Sequence, residues 1–213
     1  LKRTYTLNHL SHGGDFSLIR TFDIEGGSLG LLGFGRIGQE VAKRAIPLLG
    51  EKGRLLVYDI RPDIHEVAAK YGAEVVDDPK TLFEQCDTVS LHVAGDDTIV
   101  TYDLLCAMQP HASLINPSRG NLVDDDAVSR AIRENRLFYY VVDDPVNGPR
   151  AIHEGNPRII CTNHNGGMTV GSCTRLDQCT FDQITNAIEG HQPEHILNPE
   201  VLDHPRVKAF LNA

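Results

Sequence analysis

From Ser28 onward, the chain alternates short apolar runs with amphipathic runs. The apolar runs "SLGLLG", "RLLVYDI", "AEVV", "DTVSLHV", "ASLINPS", "LFYYVVD" and "PRIICTN" predict seven strands. Most of the segments between them have apolar residues three or four apart, which predicts helices. Alternation of this kind specifies a parallel sheet with helices on both faces. We therefore expect an α/β fold with a Rossmann-type, doubly wound parallel sheet in three αβα layers.

Three helices are predicted with definite limits. The first covers Arg36–Leu49, the second is "DDDAVSRAIRENR" at Asp124–Arg136, opened by acidic residues that suit its N-terminal dipole, and a final helix covers Cys173–Gly190. The apolar spacing of the first helix predicts which of its residues face the sheet, namely Ile37, Val41, Ala45 and Leu48.

The charge and cysteine content of the chain exclude several classes of partner. Lys and Arg number 20 against 29 Asp and Glu, for a net charge of −9 and no basic cluster. We therefore expect no nucleic-acid partner and no anionic membrane surface. No apolar run approaches the roughly 20 residues of a membrane span, and the N-terminus lacks the apolar core of a secretory signal. Five cysteines without a C-x-x-C pair predict free thiols and a cytoplasmic protein.

Gly33, Gly35 and Gly38 form the pattern G-x-G-x-x-G in "GFGRIG". They follow a predicted strand and open a predicted helix, as a dinucleotide-binding loop requires. The first glycine permits the tight turn, the second lets the backbone approach a pyrophosphate, and the third lets the helix pack close to the strand. Free N–H groups at the helix start then bind the phosphates. The alternative is a glycine-rich turn without a ligand.

Asp59 ends the second predicted strand, 21 residues after Gly38. A carboxylate at this distance accepts hydrogen bonds from the adenosine ribose and repels a 2′-phosphate, which favours NAD over NADP. Arg61, two residues further on, is placed to soften that preference.

Arg119 follows a buried strand and precedes Gly120. It therefore lies at the carboxyl end of a strand, where ligands bind in open α/β sheets. A guanidinium there can hold a carboxylate with two parallel hydrogen bonds. Taken alone, an arginine in a loop is more often a surface charge.

An ordered set of segments carries a resemblance to a known family. The segments are "GSLGLLGFGRIG", "DTVSLHV", "INPSRGNLVDDDAV", "VVDD", "NHNGGMT" and "NPEVLDHPRV", between about Gly27 and Leu202. Together they resemble the D-isomer-specific 2-hydroxyacid dehydrogenases. The resemblance implies NAD as cofactor, a small 2-keto or 2-hydroxy acid as substrate and a homodimer. The cofactor-binding residues that it implies are Gly33, Gly35, Arg36, Ile37, Gly38, Asp59, His92, Val93 and Asp143.

The same resemblance implies the catalytic residues. Arg119 matches the arginine that orients the substrate carboxylate and polarises the keto oxygen. His164 matches the acid/base histidine of the family's P-H-x-G pattern, here written "NHNGG". These residue types suit the reaction, because histidine titrates near neutral pH and arginine keeps its positive charge. The other histidine pairs, His9/His12 and His191/His195, have no completing ligands, so we expect no metal site.

The chain departs from the family pattern at the partner of this histidine. Family members use a glutamate a few residues after the aspartate of the "VVDD" segment. Here Asn147 or Gly148 falls near that position, and Asn147 is our candidate for orienting His164. Asp144 and Glu154 are the other candidates.

The expected organisation has three parts. Residues 1–25 are a remnant of an interdomain or dimerisation segment, 26–190 an NAD-binding Rossmann domain, and 191–213 a tail returning toward the substrate domain. Family members carry a further N-terminal stretch that builds most of that substrate domain, and the resemblance implies that it is missing here.

Two other functions compete with a dehydrogenase. One is a non-catalytic NAD-binding module or degenerate paralogue that lacks the catalytic glutamate. The other is an alanine dehydrogenase-like oxidoreductase, which explains the glycines but not "INPSRG" together with "NHNGG". The substrate stays open among phosphoglycerate, glyoxylate or hydroxypyruvate, and D-lactate types.

Overall fold

The computed structural model describes residues 11–14, 22–143, 153 and 155–211. They include a seven-stranded sheet in the order β3-β2-β1-β4-β5-β6-β7, and every strand pair in it is parallel. The predicted parallel sheet is therefore confirmed. The strands are β1 Ser28–Leu32, β2 Arg54–Tyr58, β3 Glu74–Val75, β4 Thr88–Leu91, β5 Ser113–Asn116, β6 Tyr139–Asp143 and β7 Ile159–Thr162.

Helices connect the first six strands, and two more follow the last strand. They are α1 Arg36–Leu49, α2 Ile64–Ala69, α3 Pro79–Gln85, α4 Tyr102–Ala107, α5 Asp125–Arg133, α6 Val170–Ile188 and α7 Pro205–Leu211, with short 3₁₀ helices at Gly120–Leu122 and Pro199–Asp203. The chain forms two compact units, Leu1–His164 and Asn165–Ala213. The sheet and α1 to α5 belong to the first unit, and α6 and α7 to the second. The three-part organisation expected from the sequence stays a prediction.

Two apolar clusters lie on opposite faces of the sheet. Successive residues of β1 point to opposite faces, so Leu31 joins one cluster and Leu32 the other. The Leu31 cluster contains Ala42 of α1 and Val67 of α2, whereas the Leu32 cluster contains residues of α3, α4 and α5. The sheet is therefore covered by helices on both faces, which confirms the three-layer Rossmann-type fold.

Helix α1 has the predicted limits, and Val41 and Ala45 pack against the Leu31 cluster as predicted, but Ile37 and Leu48 do not. Ile37 is 68% exposed and Leu48 is 60% exposed, while the buried residues are Gly38, Ala42 and Leu49. A Cβ on Gly38 would lie 2.4 Å from the carbonyl oxygen of Gly33, so the helix approaches β1 more closely than a larger residue permits. Gly38 and Ala42, rather than Ile37, therefore face the sheet, and Leu49 is buried at the end of the helix.

Candidate functional site

The described residues that were predicted to bind cofactor or substrate lie at one edge of the sheet. Each follows or ends a strand: Gly33 follows β1, Asp59 β2, His92 and Val93 β4, Arg119 β5 and His164 β7, while Asp143 ends β6. Because all seven strands are parallel, their carboxyl ends share an edge, which is where ligands bind in such folds. Neighbouring strands are about 4.8 Å apart, so the ends of β5 and β7 are about 10 Å apart.

The crevice of this edge lies between β1 and β4. These strands are neighbours in the sheet, and the chain leaves them toward helices on opposite faces. Gly33 lies there with a φ of 95°, and its N–H donates to the Tyr58 carbonyl at 2.8 Å. A Cβ at Gly33 would lie 2.5 Å from the His92 carbonyl oxygen. Only glycine fits this turn, and it marks the topological switch point where nucleotides bind.

The start of α1 has the properties of a phosphate cradle. Gly35 is the residue before the helix, and no side chain caps the first turn. A Cβ added to Gly35 would meet nothing within 4 Å, so open space adjoins the backbone here. The first N–H groups of a helix have no partner within it and attract anions. The loop therefore fits a dinucleotide pyrophosphate, with Arg36 and Ile37 exposed beside it.

Asp59 links the end of β2 to the glycine loop. Its carboxylate accepts the Phe34 N–H at 2.6 Å and the Arg61 N–H at 3.0 Å. A carboxylate has about four acceptor positions, so room remains for ribose hydroxyls. The bond to Phe34 was not predicted, because it joins residues 25 apart in the chain.

His92 is a neutral imidazole near neutral pH. Burial lowers its pKa to about 4, and its Nε2 lies 3.0 Å from Ser90 Oγ. It therefore brings no positive charge to the crevice beside Gly33. Val93, the next residue, is half-buried.

The loop that carries Arg119 is held by a buried asparagine. Asn116 is 1% exposed, donates from Nδ2 to the Arg119 carbonyl at 2.7 Å, and accepts the Ser118 N–H at 3.1 Å. Ser118 Oγ in turn donates to the Leu91 carbonyl at 2.8 Å. The Arg119 side chain is exposed. Sequence reasoning missed Asn116, although an asparagine that bonds the backbone two residues on is a known turn signal.

The last two strands carry Asp143 and His164. Thr162 of β7 donates from Oγ1 to Asp143 Oδ1 at 2.7 Å. His164 lies two residues beyond β7, is exposed, and has a φ of 59°. Such left-handed conformations are uncommon outside glycine and cluster at functional positions. Asn147, the predicted partner of His164, lies outside the described residues.

No three His, Cys, Asp or Glu side chains within 11–14, 22–143, 153 and 155–211 are grouped to hold a metal ion. None of the helices described for the chain is both long and apolar enough to cross a bilayer.

Comparison with known sequences identifies relatives of the whole first unit. Residues 1–166 match the family model of the D-isomer specific 2-hydroxyacid dehydrogenase, NAD binding domain. The glyoxylate reductase of Thermococcus litoralis is 31% identical over 85% of this chain and 55% of its own length. The D-3-phosphoglycerate dehydrogenase of Methanocaldococcus jannaschii is 29% identical over 86% of this chain and 35% of its own length. The chain thus spans about half, or less, of these curated relatives.

Solved structures of the same family have the same fold. The glyoxylate reductase of Paecilomyes thermophila superposes with a TM-score of 0.77 at 26% identity, over 89% of this chain and 58% of that one. The D-lactate dehydrogenase of Lactobacillus jensenii, crystallised with NAD⁺, superposes with a TM-score of 0.79 at 20% identity, over 92% of this chain and 64% of that one. At this identity the likeness is one of fold alone. With its family model matched over most of its length, this chain belongs to the D-isomer-specific 2-hydroxyacid dehydrogenases and carries their NAD-binding domain.

Proposed function

We propose that this chain is the cofactor-binding part of an NAD-dependent enzyme that interconverts a 2-keto acid and a D-2-hydroxy acid. One observation carries the proposal. Arg119 and His164 follow the carboxyl ends of two strands that are separated only by β6, which itself ends at Asp143. The relatives described as glyoxylate reductase and D-lactate dehydrogenase support a small keto or hydroxy acid as the substrate class.

Each part of the cofactor has a proposed set of partners. NAD, when bound, supplies or accepts the hydride. The open backbone at Gly35 and the first N–H groups of α1 hold the pyrophosphate, with Gly33, Arg36, Ile37 and Gly38 completing the loop. Asp59 accepts the ribose hydroxyls, His92 and Val93 flank the adenosine half, and Asp143 contacts the nicotinamide carboxamide.

Arg119 and His164 act on the substrate. The Arg119 guanidinium binds the substrate carboxylate through parallel hydrogen bonds and polarises the keto oxygen. The imidazole of His164 donates a proton to the developing alkoxide, and accepts it back in the reverse direction. Asn147 is proposed to orient that imidazole without adding charge. A homodimer and a cytoplasmic location, the latter consistent with five free cysteines, belong to the same proposal.

The test is NADH oxidation by the purified full-length protein with glyoxylate, hydroxypyruvate, pyruvate and 3-phosphohydroxypyruvate, the keto acids of the substrate types left open above. We expect Arg119→Ala to lower kcat/KM by about 100-fold or more, as loss of a group that stabilises developing charge does. His164→Ala removes the proton donor and should cost about 100- to 10,000-fold. Both variants should bind NADH as the unaltered chain does. Arg133→Ala and His191→Ala are matched controls, because both residues are exposed and neither follows the carboxyl end of a strand.

A specific feature favours a second candidate, a non-catalytic NAD-binding module. No glutamate occurs between Asp143 and Glu154. NADH binding by the full-length protein without turnover of any of the four acids would support this module and refute the dehydrogenase. Turnover that survives both Arg119→Ala and His164→Ala would refute the roles given to these residues.

A further inference from the structure

An arginine and a second carboxylate lie beside the proposed adenosine site. Arg61 follows Asp59 by two residues, and its guanidinium is engaged on both edges. Nε donates to Asp63 Oδ1 at 2.6 Å and Nη2 to Asp63 Oδ2 at 2.8 Å. Nη1 lies 3.4 Å from the carbonyl oxygen of Phe34, in the glycine loop. The guanidinium is therefore held next to both the loop and the carboxylate that is proposed to bind the ribose.

Asp63 directs its side chain to Arg61 rather than to the helix that follows it. It precedes α2, yet it makes no capping hydrogen bond to that helix. Its two oxygens instead occupy the parallel donors through which a guanidinium binds phosphate. The ion pair keeps the pKa of the Asp63 carboxyl below its usual value, so the carboxylate is charged near neutral pH.

A 2′-phosphate on the adenosine ribose would meet this arrangement directly. It would approach two carboxylates, Asp59 and Asp63, and a single guanidinium that is already paired. An exposed ion pair is individually weak, and Arg61 and Asp63 are 32% and 48% exposed. A 2′-phosphate must displace Asp63 from Arg61 and approach both carboxylates, and both steps are unfavourable. NAD has no 2′-phosphate and is not affected. The discrimination due to Asp63 should therefore be modest, about tenfold rather than thousands.

We propose that Asp63 is a specificity-determining residue that disfavours 2′-phosphorylated dinucleotides by holding Arg61 away from the phosphate. The inference rests on the proposed cofactor site, with the adenosine ribose beside Asp59. Removing the Asp63 carboxylate frees the guanidinium and takes away one negative charge. Arg61, which would otherwise weaken the preference for NAD set by Asp59, is thus held by Asp63.

The experiment compares binding of NADH and NADPH by fluorescence titration, with 5′-ADP and 2′,5′-ADP as probes of the adenosine half alone. We expect Asp63→Ala and Asp63→Asn to tighten NADPH and 2′,5′-ADP binding by about tenfold, and NADH binding to stay within about twofold. The gain should disappear in the double variant Arg61→Gln/Asp63→Ala, and it should shrink at high salt. Glu66→Gln is the matched control, because it removes a carboxylate that pairs with Lys70 and leaves Arg61 engaged.

The outcomes separate this inference from the function on which it rests. If no variant binds NADH or 5′-ADP, the cofactor site and the inference both fail. If NADH binds but Asp63→Ala leaves the ratio of NADPH to NADH affinity unchanged, the inference alone is overturned. An equal gain in Glu66→Gln would also overturn it, since the effect would then be one of net charge.

Discussion

Two neighbouring glycines should give opposite results when each is replaced by alanine. A Cβ at Gly38 would lie 2.4 Å from the Gly33 carbonyl oxygen, whereas real Cβ atoms essentially never come within 3.0 Å of such a neighbour. A Cβ at Gly35 would meet nothing within 4 Å, and its φ of −72° suits alanine. We expect Gly38→Ala to destabilise the fold and Gly35→Ala to impair only cofactor binding.

The size of the first effect follows from the contact. The obstacle at Gly38 is backbone, so α1 must move away from β1 by at least about 0.6 Å. Overpacking of this kind costs about 1–3 kcal/mol, and the better helix propensity of alanine returns up to about 1 kcal/mol. The net loss of about 1–2 kcal/mol should lower Tm by about 3–6 °C for a unit of this size.

The assay is thermal unfolding by circular dichroism, with an NADH titration of the same samples. Gly35→Ala should have the same Tm as the unaltered chain. It should bind NADH at least about tenfold more weakly, because its methyl group keeps the pyrophosphate from the backbone. An unchanged Tm for Gly38→Ala would refute the packing argument. Unchanged NADH binding by Gly35→Ala would refute the role assigned to the open loop.

Three further predictions concern buried polar groups. Burial holds the pKa of His92 near 4, below its unfolded value, so the folded chain should lose stability as the pH falls from 6.5 toward 4. The loss should be about 2 kcal/mol at pH 5. Urea titrations at pH 7 and 5 should show a flatter dependence for His92→Asn. Asn116→Ala should lower the free energy of unfolding by about 1–3 kcal/mol in the same titration, because the buried groups that it bonds lose their partner. Its kcat should fall because the Arg119 loop is no longer held. His153 is 3% exposed and hydrogen-bonds Asp125 at 2.9 Å. Asp125→Ala leaves the buried imidazole without this partner and should destabilise the fold by about 1–3 kcal/mol. His153→Leu replaces the buried polar group by an apolar one and should change stability little.

Each of these predictions has a contrary result. A stability profile of the unaltered chain that is as flat as that of His92→Asn would mean that the imidazole is not protected from protons. Equal stability of Asn116→Ala and the unaltered chain would mean that the turn holds itself without the amide. A large loss in His153→Leu would show that the imidazole has a partner more important than Asp125.

The layout of the fold could be predicted because it depends on periodicity. Strand and helix patterns place the predicted site residues at or after the ends of strands, and parallel pairing then brings the described ones to one edge. The orientation of α1 could be predicted only in part from the same pattern, since Val41 and Ala45 pack against the core but Ile37 and Leu48 do not. Its apolar stripe includes Ile37, which is exposed, whereas contact at Gly38 decides which face is buried.

Local signals explain two other differences. Helix α6 begins at Val170 rather than Cys173, because Thr169 Oγ1 accepts the Ser172 N–H at 3.1 Å and caps it. Helix α5 ends at Arg133, because Asn135 has a φ of 55° and cannot continue it. Both signals are short polar patterns that a reading of apolar spacing passes over.

Pairings between side chains were the least predictable part of the site. The bond from Phe34 to Asp59 depends on where β1 and β2 end relative to each other, whereas Arg61 and Asp63 are two residues apart and pair within the turn before α2. Sequence spacing suggests that such groups are near, but it does not say which donor meets which acceptor. Thus Arg61 was expected to soften the preference set by Asp59, and its restraint by Asp63 became visible only in three dimensions.

The left-handed backbone of His164 means that selection for stability and selection for turnover should favour different residues at this position. A left-handed residue other than glycine costs roughly 1 kcal/mol, so glycine at position 164 would fold more favourably than the imidazole. A random library screened only for heat tolerance should therefore enrich glycine or asparagine there. A library screened for turnover should return histidine, and comparing the two would show whether this strained position has been kept for chemistry.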